Sequence, residues 1–443
     1  MALALGALLL AGCSSTTSTV GSTSPSPSPT PLVSGPTATA AGATMTSLVT
    51  AAATRFATQT VDGDFADQWT ELAPQAQALW PGESARSAML ATKFSGAAIS
   101  SIHLGPPVSG ATWYDPESPA VSVPNTWRYP LTVSFADPGG LEPPGVDGLF
   151  SMTTISMTYD PASEQALVVG EGPASIDAPV IVPGRVSPRQ VQVPLYMYHL
   201  VQDQAPVRSA FGSNTHGWQL ALGLTTLTSQ FQAEMAEAHS IGATSISLPH
   251  LADALLYGLP LPAHAFVVTF DDGFLNQWTV AVPILRRYGF TAVFFPCTAL
   301  VGGAYGPWQY MTGAQIRDLA ATGFSFGDHT LNDQTALWGA STGLLNTLTD
   351  QSKSVLEALT DEPIQFIAYS GPWPKSWPQS GPGGAEESAL FQTLQGFGYV
   401  GGLQDLTFDT ATDISTQLWQ LPRVRVGLGV TASGWAAFVE RAA

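Results

Sequence analysis

Residues 266–274 read Phe-Val-Val-Thr-Phe-Asp-Asp-Gly-Phe, an apolar run that ends in two carboxylates and a glycine. The run before the acids has the composition of a buried β-strand. Enzymes built on a barrel of parallel strands keep their functional residues where the strands end, at the carboxyl edge of the sheet. The pattern predicts this position for Asp271 and Asp272. Neighbouring strand residues point to opposite sides, so the turn at Gly273 must reorient the acids if both face one ligand. A charged turn without catalytic function is the alternative.

The sequence on either side alternates between strand-like and helix-like runs. Short apolar runs at 193–197, 266–270 and 291–295 are separated by helical patterns such as 231–239 and 280–288. This alternation predicts a parallel sheet, closed or open, with helices packed on it.

Further motifs follow in a fixed order. Residues 193–199 read Val-Pro-Leu-Tyr-Met-Tyr-His, residues 327–330 read Gly-Asp-His-Thr, and residues 421–426 read Leu-Pro-Arg-Val-Arg-Val. Together with Thr-Phe-Asp-Asp-Gly at 269–273, they resemble the polysaccharide deacetylases, the NodB-homology family also known as carbohydrate esterase family four. The resemblance implies an α/β fold with a distorted (β/α) TIM-like barrel over 195–443. It also implies removal of acetyl groups from a polysaccharide with the help of a divalent metal ion, most often zinc.

The resemblance assigns roles to particular residues. The first acid of the motif, Asp271, takes the role of general base, and the second, Asp272, binds the metal together with His329. The family's second motif has two histidines four positions apart, which a helical turn would place on one face. Here Asp333 stands at the second position. The implied ligand set is therefore Asp272, His329 and Asp333, with two carboxylates that would make the ion a weaker Lewis acid.

Two further motifs depart from the family pattern. Residues 368–372 read Ala-Tyr-Ser-Gly-Pro where the family has Arg or Ala followed by x-Pro-Tyr-Gly, so the backbone N–H that would bind the oxyanion is displaced. The last histidine in the chain is His329, so the late histidine that relatives use as an acid is missing. His199 is the candidate replacement, with a structural histidine as the alternative. Arg423 is expected to orient Asp271 and keep it ionised, with a plain structural salt bridge as the alternative.

Two aromatic residues near the third motif are candidates for substrate binding. Tyr369 belongs to the altered motif, and Trp373 lies in the loop rich in Pro and Gly that follows it. Aromatic side chains on barrel-rim loops can stack on sugar rings. Packing over the edge of the barrel is the alternative for Trp373.

The N-terminus resembles a bacterial lipoprotein signal. Residues 1–12 are apolar and run into Cys13, after which the composition turns to Ser, Thr and Pro through residue 44. The resemblance implies cleavage before Cys13, lipidation of its thiol and anchoring of a secreted protein to the membrane surface. Residues 14–44 are expected to be a disordered tether. Because Cys13 would carry lipid, the other cysteine, Cys297, is expected to be a buried structural thiol.

A smaller region precedes the barrel. Helical periodicity comes first and strand alternation second over residues 45–175, which predicts an α+β domain of unknown role. The element order resembles the nuclear-transport-factor-like cone fold. Residues 176–194 are predicted to form a Pro-rich connector to the barrel.

The overall composition limits the partners. The chain has 443 residues, 11% of them charged, and a formal net charge of −18. A nucleic acid would be repelled, and no basic cluster interleaved with aromatics counters the repulsion. The composition favours an uncharged polymer or a small molecule as partner, and the family resemblance implies a polysaccharide, such as peptidoglycan, poly-N-acetylglucosamine or a chitin-like polymer.

These observations lead to one main functional hypothesis. The chain is predicted to be a metal-dependent deacetylase of envelope or extracellular N-acetylglucosamine polymers. The rival hypothesis is a degenerate deacetylase-fold module that binds glycan without turnover, because several family motifs are altered. A third hypothesis gives the function to residues 45–175 and leaves the barrel as a scaffold.

Overall fold

The first described element is a helix that begins within the predicted tether. A computed structural model describes residues 38–78, 80–94, 99–135, 154–171, 191–333, 336–371, 374, 384–407, 417–428 and 431–441. Residues Met45–Ala443 form one compact unit, and in the unit before it, Met1–Thr44, only residues 38–44 are described. Helix α1 starts at Ala38, so residues 38–44 are helical. The sequence had predicted a disordered tether through residue 44. Cys13 and the rest of the predicted tether lie outside the described residues.

The region before the barrel contains helices followed by an antiparallel sheet. The helices are α1 (Ala38–Asp62), α2 (Pro74–Gln77) and α3 (Glu83–Phe94). The strands are β1 (Ile99–Leu104), β2 (Val108–Tyr114), β3 (Ser122–Phe135), β4 (Thr154–Asp160) and β5 (Gln165–Glu171). The strand order is β1-β3-β4-β5, and β2 also pairs with β3. Apolar residues of α1, including Phe56, pack on the sheet at Tyr129 and Ile155. Helices precede strands in this region, and both the separate α+β domain over 45–175 and its cone-fold resemblance stay predictions.

The second region alternates strands and helices. Its first half contains β6 (Leu195–Tyr198), β7 (Leu200–Gln202), α4 (Thr215–Leu224), β8 (Thr225–Leu227), α5 (Thr228–Ser240), β9 (Thr244–Ser245), α6 (Leu248–Tyr257), β10 (Ala265–Asp272), α7 (Val282–Tyr288) and β11 (Val293–Pro296). Its second half contains β12 (Ala304–Tyr305), β13 (Trp308–Gln309), α8 (Gly313–Ala321), β14 (Ser325–Phe326), α9 (Thr342–Leu345), α10 (Gln351–Thr360), β15 (Phe366–Ala368), α11 (Ala385–Gly396), β16 (Gly401–Thr407), β17 (Leu421–Arg425) and α12 (Ala432–Arg441).

These strands form a curled parallel sheet. Its order is β14-β11-β10-β6-β17-β16-β15. Strand β9 pairs with the first two residues of β10, Ala265 and Phe266. The two outer strands meet through a parallel bridge between Asp328 and Ile367. The Asp328 N–H donates to the Phe366 carbonyl at 2.9 Å, and the Ala368 N–H donates to the Asp328 carbonyl at 2.8 Å. The predicted α/β fold with a parallel, barrel-like sheet is confirmed.

Alternation along β10 explains why Asp271 points into the barrel. Phe266, Val268 and Phe270 pack in the cluster shared with the surrounding helices, whereas Val267 packs in the cluster inside the sheet. Side chains two apart on a strand share a face, so Asp271 continues the interior row. Phe270 stacks on Phe294 of β11 with ring centroids 5.1 Å apart. Burying each such ring contributes roughly 1.5–3 kcal/mol, which holds the strand that carries the acids.

The antiparallel sheet and the barrel are in direct contact. The Glu117 carboxylate accepts hydrogen bonds from the Ser247 hydroxyl at 2.6 Å and from the Ser247 N–H at 3.1 Å, at the start of α6. His250 Nδ1 lies 3.5 Å from the same carboxylate. The two regions therefore share buried polar contacts, and their division into separate domains stays a prediction.

None of the described helices has the length and apolar character that crossing a bilayer requires.

Candidate active site and metal-binding cluster

The two acids of the first motif leave β10 in different directions. Asp271 is the last interior residue of the strand and is fully buried. Asp272 has a left-handed backbone with φ 70°, and Gly273 follows with φ 80°. The Gly273 N–H donates to the Asp271 carbonyl at 2.9 Å, which closes a tight turn. The reorientation that the sequence required at this turn is therefore present, and it begins one residue earlier, at Asp272.

Arg423 holds Asp271 at two points. Its Nη1 donates to Oδ1 at 2.7 Å and its Nη2 to Oδ2 at 2.8 Å. Its Nε donates to the Gln404 carbonyl at 2.8 Å, which fixes the guanidinium in turn. Both charged side chains are buried. A bidentate, charge-assisted pair of this kind fixes the plane of the carboxylate as well as its charge.

The same charges keep Asp271 ionised. Burial is the largest single effect and raises the pKa of Asp271, but the charge and hydrogen bonds of Arg423, together with the charges of His329 and His199, outweigh it. The resulting pKa lies well below the ordinary value for aspartate. Asp271 can therefore accept a proton across the neutral range, although its low pKa makes it a weak base.

His199 lies beside Asp271, as the sequence predicted. Its Nε2 is 3.9 Å from Asp271 Oδ2. The Gln277 side chain connects the two residues, because its Nε2 donates to the His199 carbonyl at 3.0 Å and to the Asp271 carbonyl at 2.6 Å. Gln277, which begins a one-turn π-helix, Gln277–Ala281, belongs to none of the sequence motifs. The role of His199 as an acid stays a prediction.

His329 points its Nε2 atom at two carboxylates. Its Nδ1 lies 2.9 Å from the Ala368 carbonyl, and since a carbonyl only accepts, Nδ1 carries the proton. Nε2 lies 3.7 Å from Asp272 Oδ1 and 3.4 Å from Asp333 Oδ1. Burial lowers the pKa of His329, but attraction from Asp333, Asp271 and Asp272 outweighs it and raises the pKa to about 9. The imidazole thus lies in a strongly negative environment.

One cluster within the described residues has the spacing of a metal site. Ligand atoms of Asp272, Cys297 and His329 all lie within 4.8 Å of one another. Cys297 is 1% exposed, which confirms the predicted buried thiol. Its Sγ lies 4.0 Å from Asp272 Oδ1 and 3.6 Å from the His329 carbonyl. Cys297 was predicted only as a structural thiol and was not among the predicted site residues. The predicted ligand Asp333 contacts His329 but does not belong to this cluster.

The contact between His329 and Asp333 does not come from a helical turn. Thr330 and Asp333 have left-handed backbones with φ 63° and 50°, and the Asp333 N–H donates to Thr330 Oγ1 at 3.2 Å. The prediction of a helix at this motif is wrong, because its sequence folds as an irregular turn after β14. This turn still brings the two side chains together.

Two buried hydrogen bonds hold the side chain of Asp328, the residue before His329. Its carboxylate accepts hydrogen bonds from Ser352 Oγ at 2.6 Å and from the Tyr399 hydroxyl at 2.7 Å. Burial raises the pKa of Asp328 to about 6, although these hydrogen bonds lower it. Asp328 fixes the backbone that carries His329, and its place in Gly-Asp-His-Thr was the sequence signal for this role.

Tyr369 is not placed to bind a substrate through its ring. The side chain is fully buried, and its hydroxyl donates to the Trp419 carbonyl at 2.8 Å. Its backbone N–H donates to the Leu403 carbonyl at 3.0 Å, so this N–H is used within the sheet. The prediction of Tyr369 as a substrate-binding residue is corrected, because the altered third motif continues the core at this position. Trp373 lies outside the described residues.

The fold and the site have the layout of a parallel-barrel enzyme. The buried Asp271, the half-buried Asp272 and His329 lie at the carboxyl edge of a curled parallel sheet, where such enzymes keep their functional residues. Residues 259–373 match the family model described as polysaccharide deacetylase. The matched range contains Asp271, Asp272 and His329, and the match supports assignment of this part of the chain to that family.

Individual proteins and a solved structure are similar to parts of this chain. YxkH of Bacillus subtilis strain 168, whose name assigns it provisionally to the polysaccharide deacetylases, is 26% identical over 212 residues, or 48% of this chain and 69% of that protein. The poly-beta-1,6-N-acetyl-D-glucosamine N-deacetylase of Escherichia coli strain K12 is 28% identical over 134 residues, or 28% of this chain and 20% of that protein. The solved structure of the deacetylase PplD of Streptococcus pyogenes, in complex with acetate, has a TM-score of 0.45 at 22% identity and covers 57% of this chain and 100% of that chain.

Proposed function

We propose that this protein is a metal-dependent deacetylase that hydrolyses acetyl groups from N-acetylglucosamine-type polysaccharides of the envelope or extracellular space. One observation carries the proposal: the buried, ionised Asp271 lies beside the negative cluster of Asp272 and His329 at the carboxyl edge of the sheet. The match of this stretch to the family model and the name of the relative from Escherichia coli support the substrate class.

The donor chemistry of the cluster fits a divalent cation. The His329 Nδ1–H is committed to Ala368, so Nε2 is the nitrogen left for an ion. The carboxylates of Asp272 and Asp333 flank this nitrogen, and their charge would be neutralised by the ion. We propose Asp272, His329 and Asp333 as ligands and zinc as the first choice of metal. When bound, the ion would supply a Lewis acid for the acetyl carbonyl and would lower the pKa of water at the site.

Asp271 takes the proton of the attacking water in this proposal. Its carboxylate is ionised and cannot rotate, because Arg423 holds both of its oxygens. Fixed orientation lowers the entropic part of the barrier. The same ion pair reduces the basicity of Asp271, so orientation is the larger contribution of Arg423.

His199 returns a proton to the leaving amine in this proposal. Hydrolysis of an acetamide yields acetate and a free amine, and the amine nitrogen must be protonated as the C–N bond breaks. His199 lies close to Asp271 Oδ2, on the same side of the barrel interior. Asp271 thus accepts a proton from water, and the neighbouring His199 donates a proton to the amine.

We propose the hairpin of β12 and β13 as the sugar-contacting surface. Its backbone adjoins the acids, because the Met311 N–H donates to the Gly273 carbonyl at 2.9 Å and Tyr310 bridges to Phe274. Trp308 stacks on Tyr305, with centroids 6.4 Å apart, and Tyr305 is 50% exposed. Exposed aromatic rings beside a catalytic pocket are suited to sugar faces.

Acetate release from the full-length chain tests the proposal. The substrates are oligomers of β-1,6-linked N-acetylglucosamine and chitooligosaccharides, with zinc present or removed by a chelator. Asp271→Asn should lower the rate by at least about a hundredfold, the usual contribution of a general base. Asp318→Asn, at an exposed acid of α8, is the matched control and should leave the rate unchanged. Equal rates in Asp271→Asn and the control would contradict the proposal, and glycan binding without acetate release would favour a binding module.

A further inference from the structure

The thiol of Cys297 has a position fixed by the sheet. Strand β11 pairs with β10 so that Pro296 lies opposite Asp272, and Cys297 is the next residue. The Cys297 N–H donates to the Asp272 carbonyl at 3.3 Å. A Cβ on Gly273 would lie 2.6 Å from the Pro296 Cβ, so only glycine permits this approach of the two strand ends. The location of the thiol beside Asp272 therefore follows from backbone register.

The separations in this pocket are close to those of a metal ligand set. Around tetrahedral zinc, nitrogen and oxygen ligands lie about 3.4 Å apart, and a sulfur lies about 3.6–3.8 Å from either, as the bond lengths require. The measured distances are 3.7 Å from His329 Nε2 to Asp272 Oδ1 and 4.0 Å from that oxygen to Cys297 Sγ. The ligand atoms of all three side chains lie within 4.8 Å of one another. The first two separations exceed the zinc values by a few tenths of an ångström, and the pair of His329 and Cys297, within 4.8 Å, would have to close by up to about 1 Å for all three side chains to bind one ion.

Asp333 is more loosely placed than Cys297. Its side chain is 38% exposed and lies on the irregular turn, whereas Cys297 is 1% exposed and follows a core strand directly. A ligand on a rigid element keeps its geometry better than one on a loop.

We infer that Cys297, in place of Asp333, is the third ligand of the proposed metal site and binds as a thiolate beside Asp272 and His329, which leaves a fourth position open. The inference rests on the proposed metal-dependent function. A sulfur ligand favours zinc, cobalt and cadmium over magnesium and manganese, so this chain should select thiophilic ions. Binding of the ion would release the thiol proton to solvent.

Cobalt spectroscopy of the full-length chain tests the inference. The chain has two cysteines, so Cys13→Ser leaves Cys297 as its single thiol. Cobalt added to the metal-free Cys13→Ser protein should produce a near-ultraviolet thiolate-to-cobalt charge-transfer band. The band should be absent from Cys13→Ser/Cys297→Ser. Retention of the band in the double variant, or its absence from the Cys13→Ser protein, overturns the inference.

A second variant distinguishes the loss of a metal ligand from misfolding of the protein. Cys297→Ala preserves an apolar side chain in the buried position, and far-ultraviolet circular dichroism verifies its fold. Its affinity for cadmium should fall by more than about tenfold, while its affinity for manganese changes less. Equal losses for the two ions in a folded protein would remove Cys297 from the ligand set.

Acetate release from the cobalt-loaded samples separates the two proposals. Release without the charge-transfer band would remove Cys297 from the ligand set and keep the proposed function. The band without release would keep the thiolate ligand and remove the proposed function.

Discussion

At the scale of single residues, the charge on Asp271 depends on one guanidinium. Arg423→Gln would leave a buried carboxylate without its partner, which costs roughly 3–5 kcal/mol. We expect the free energy of unfolding at pH 7 to fall by an amount of this order. Because the folded pKa of Asp271 lies below its unfolded value of about 4, the stabilisation is present above pH 4 and is lost as the pH falls toward the folded pKa. Urea unfolding at pH 7 and pH 3 measures this difference.

The control for this prediction is the double variant Asp271→Asn/Arg423→Gln. It removes the unpaired charge, so its stability should exceed that of Arg423→Gln alone. A single variant as stable as the wild type at pH 7 would mean that the pair contributes little to folding.

Residue-scale features were predictable only where they are local in sequence. Asp271 and Asp272 are the last two residues of β10 and His329 follows the bridge residue Asp328, so a short motif was sufficient to select each of them. The position of Cys297 depends on the register between β10 and β11, and that of Gln277 on a π-helical turn. Neither feature has a signature in a single sequence. Tyr369 was misassigned because the departing third motif gave no indication that the residue is buried.

At the scale of elements, the β12–β13 hairpin should affect affinity more than chemistry. Trp308→Ala removes one ring of the proposed sugar-contacting surface, worth roughly 0.5–1.5 kcal/mol. We expect KM for a polymer to rise about three- to tenfold with kcat unchanged, measured by acetate release.

Tyr288→Ala is the matched control for this element. Helix α7 runs back from the carboxyl edge, so its last residue, Tyr288, lies toward the opposite edge of the barrel. The same rise in KM in both variants would remove the hairpin from the substrate surface.

Helix-level expectations were confirmed where periodicity was long and failed where it was short. The helical patterns at 231–239 and 280–288 correspond to α5 and to the π-turn with α7. The expected helical turn after His329 is missing because two residues there adopt left-handed backbones. Left-handed backbones of this kind depend on the packing around the turn. The spacing of hydrophobic residues does not predict them.

At the scale of the whole molecule, Glu117 and His250 should make the contact between the antiparallel sheet and the barrel depend on pH. Burial is the largest single effect and lowers the pKa of His250, but the charge and hydrogen bond of Glu117, together with the Pro260 carbonyl and the charge of Asp253, outweigh it and raise the pKa. A raised folded pKa gives a stabilisation that is full below the unfolded pKa of about 6.5 and is lost as the pH rises through the folded pKa. The stability gap between the wild type and Glu117→Gln should therefore shrink from pH 6 to pH 9, measured by denaturant unfolding.

Asp318→Asn is the control for this contact. Asp318 is an exposed acid of α8. Its stability gap to the wild type should stay constant between pH 6 and pH 9. A constant gap for Glu117→Gln as well would exclude His250 as the titrating group.

The proposed lipid anchor predicts where the whole molecule resides. Wild-type protein expressed with its N-terminus intact should enter the detergent phase on phase separation, and Cys13→Ser should move it to the aqueous phase. Asp318→Asn should partition like the wild type. Detergent-phase recovery of Cys13→Ser would argue against lipidation at this cysteine.

The pairing of Asp271 with Arg423 joins residues 152 positions apart, the second of them on the last strand of the sheet. During synthesis, the acid leaves the ribosome long before its counter-charge exists. A nascent barrel that closed early would trap a bare carboxylate in its interior, so stable closure must wait for the end of the chain. Truncation shortly before residue 423 should therefore yield no native intermediate, and the barrel should assemble in an all-or-none manner.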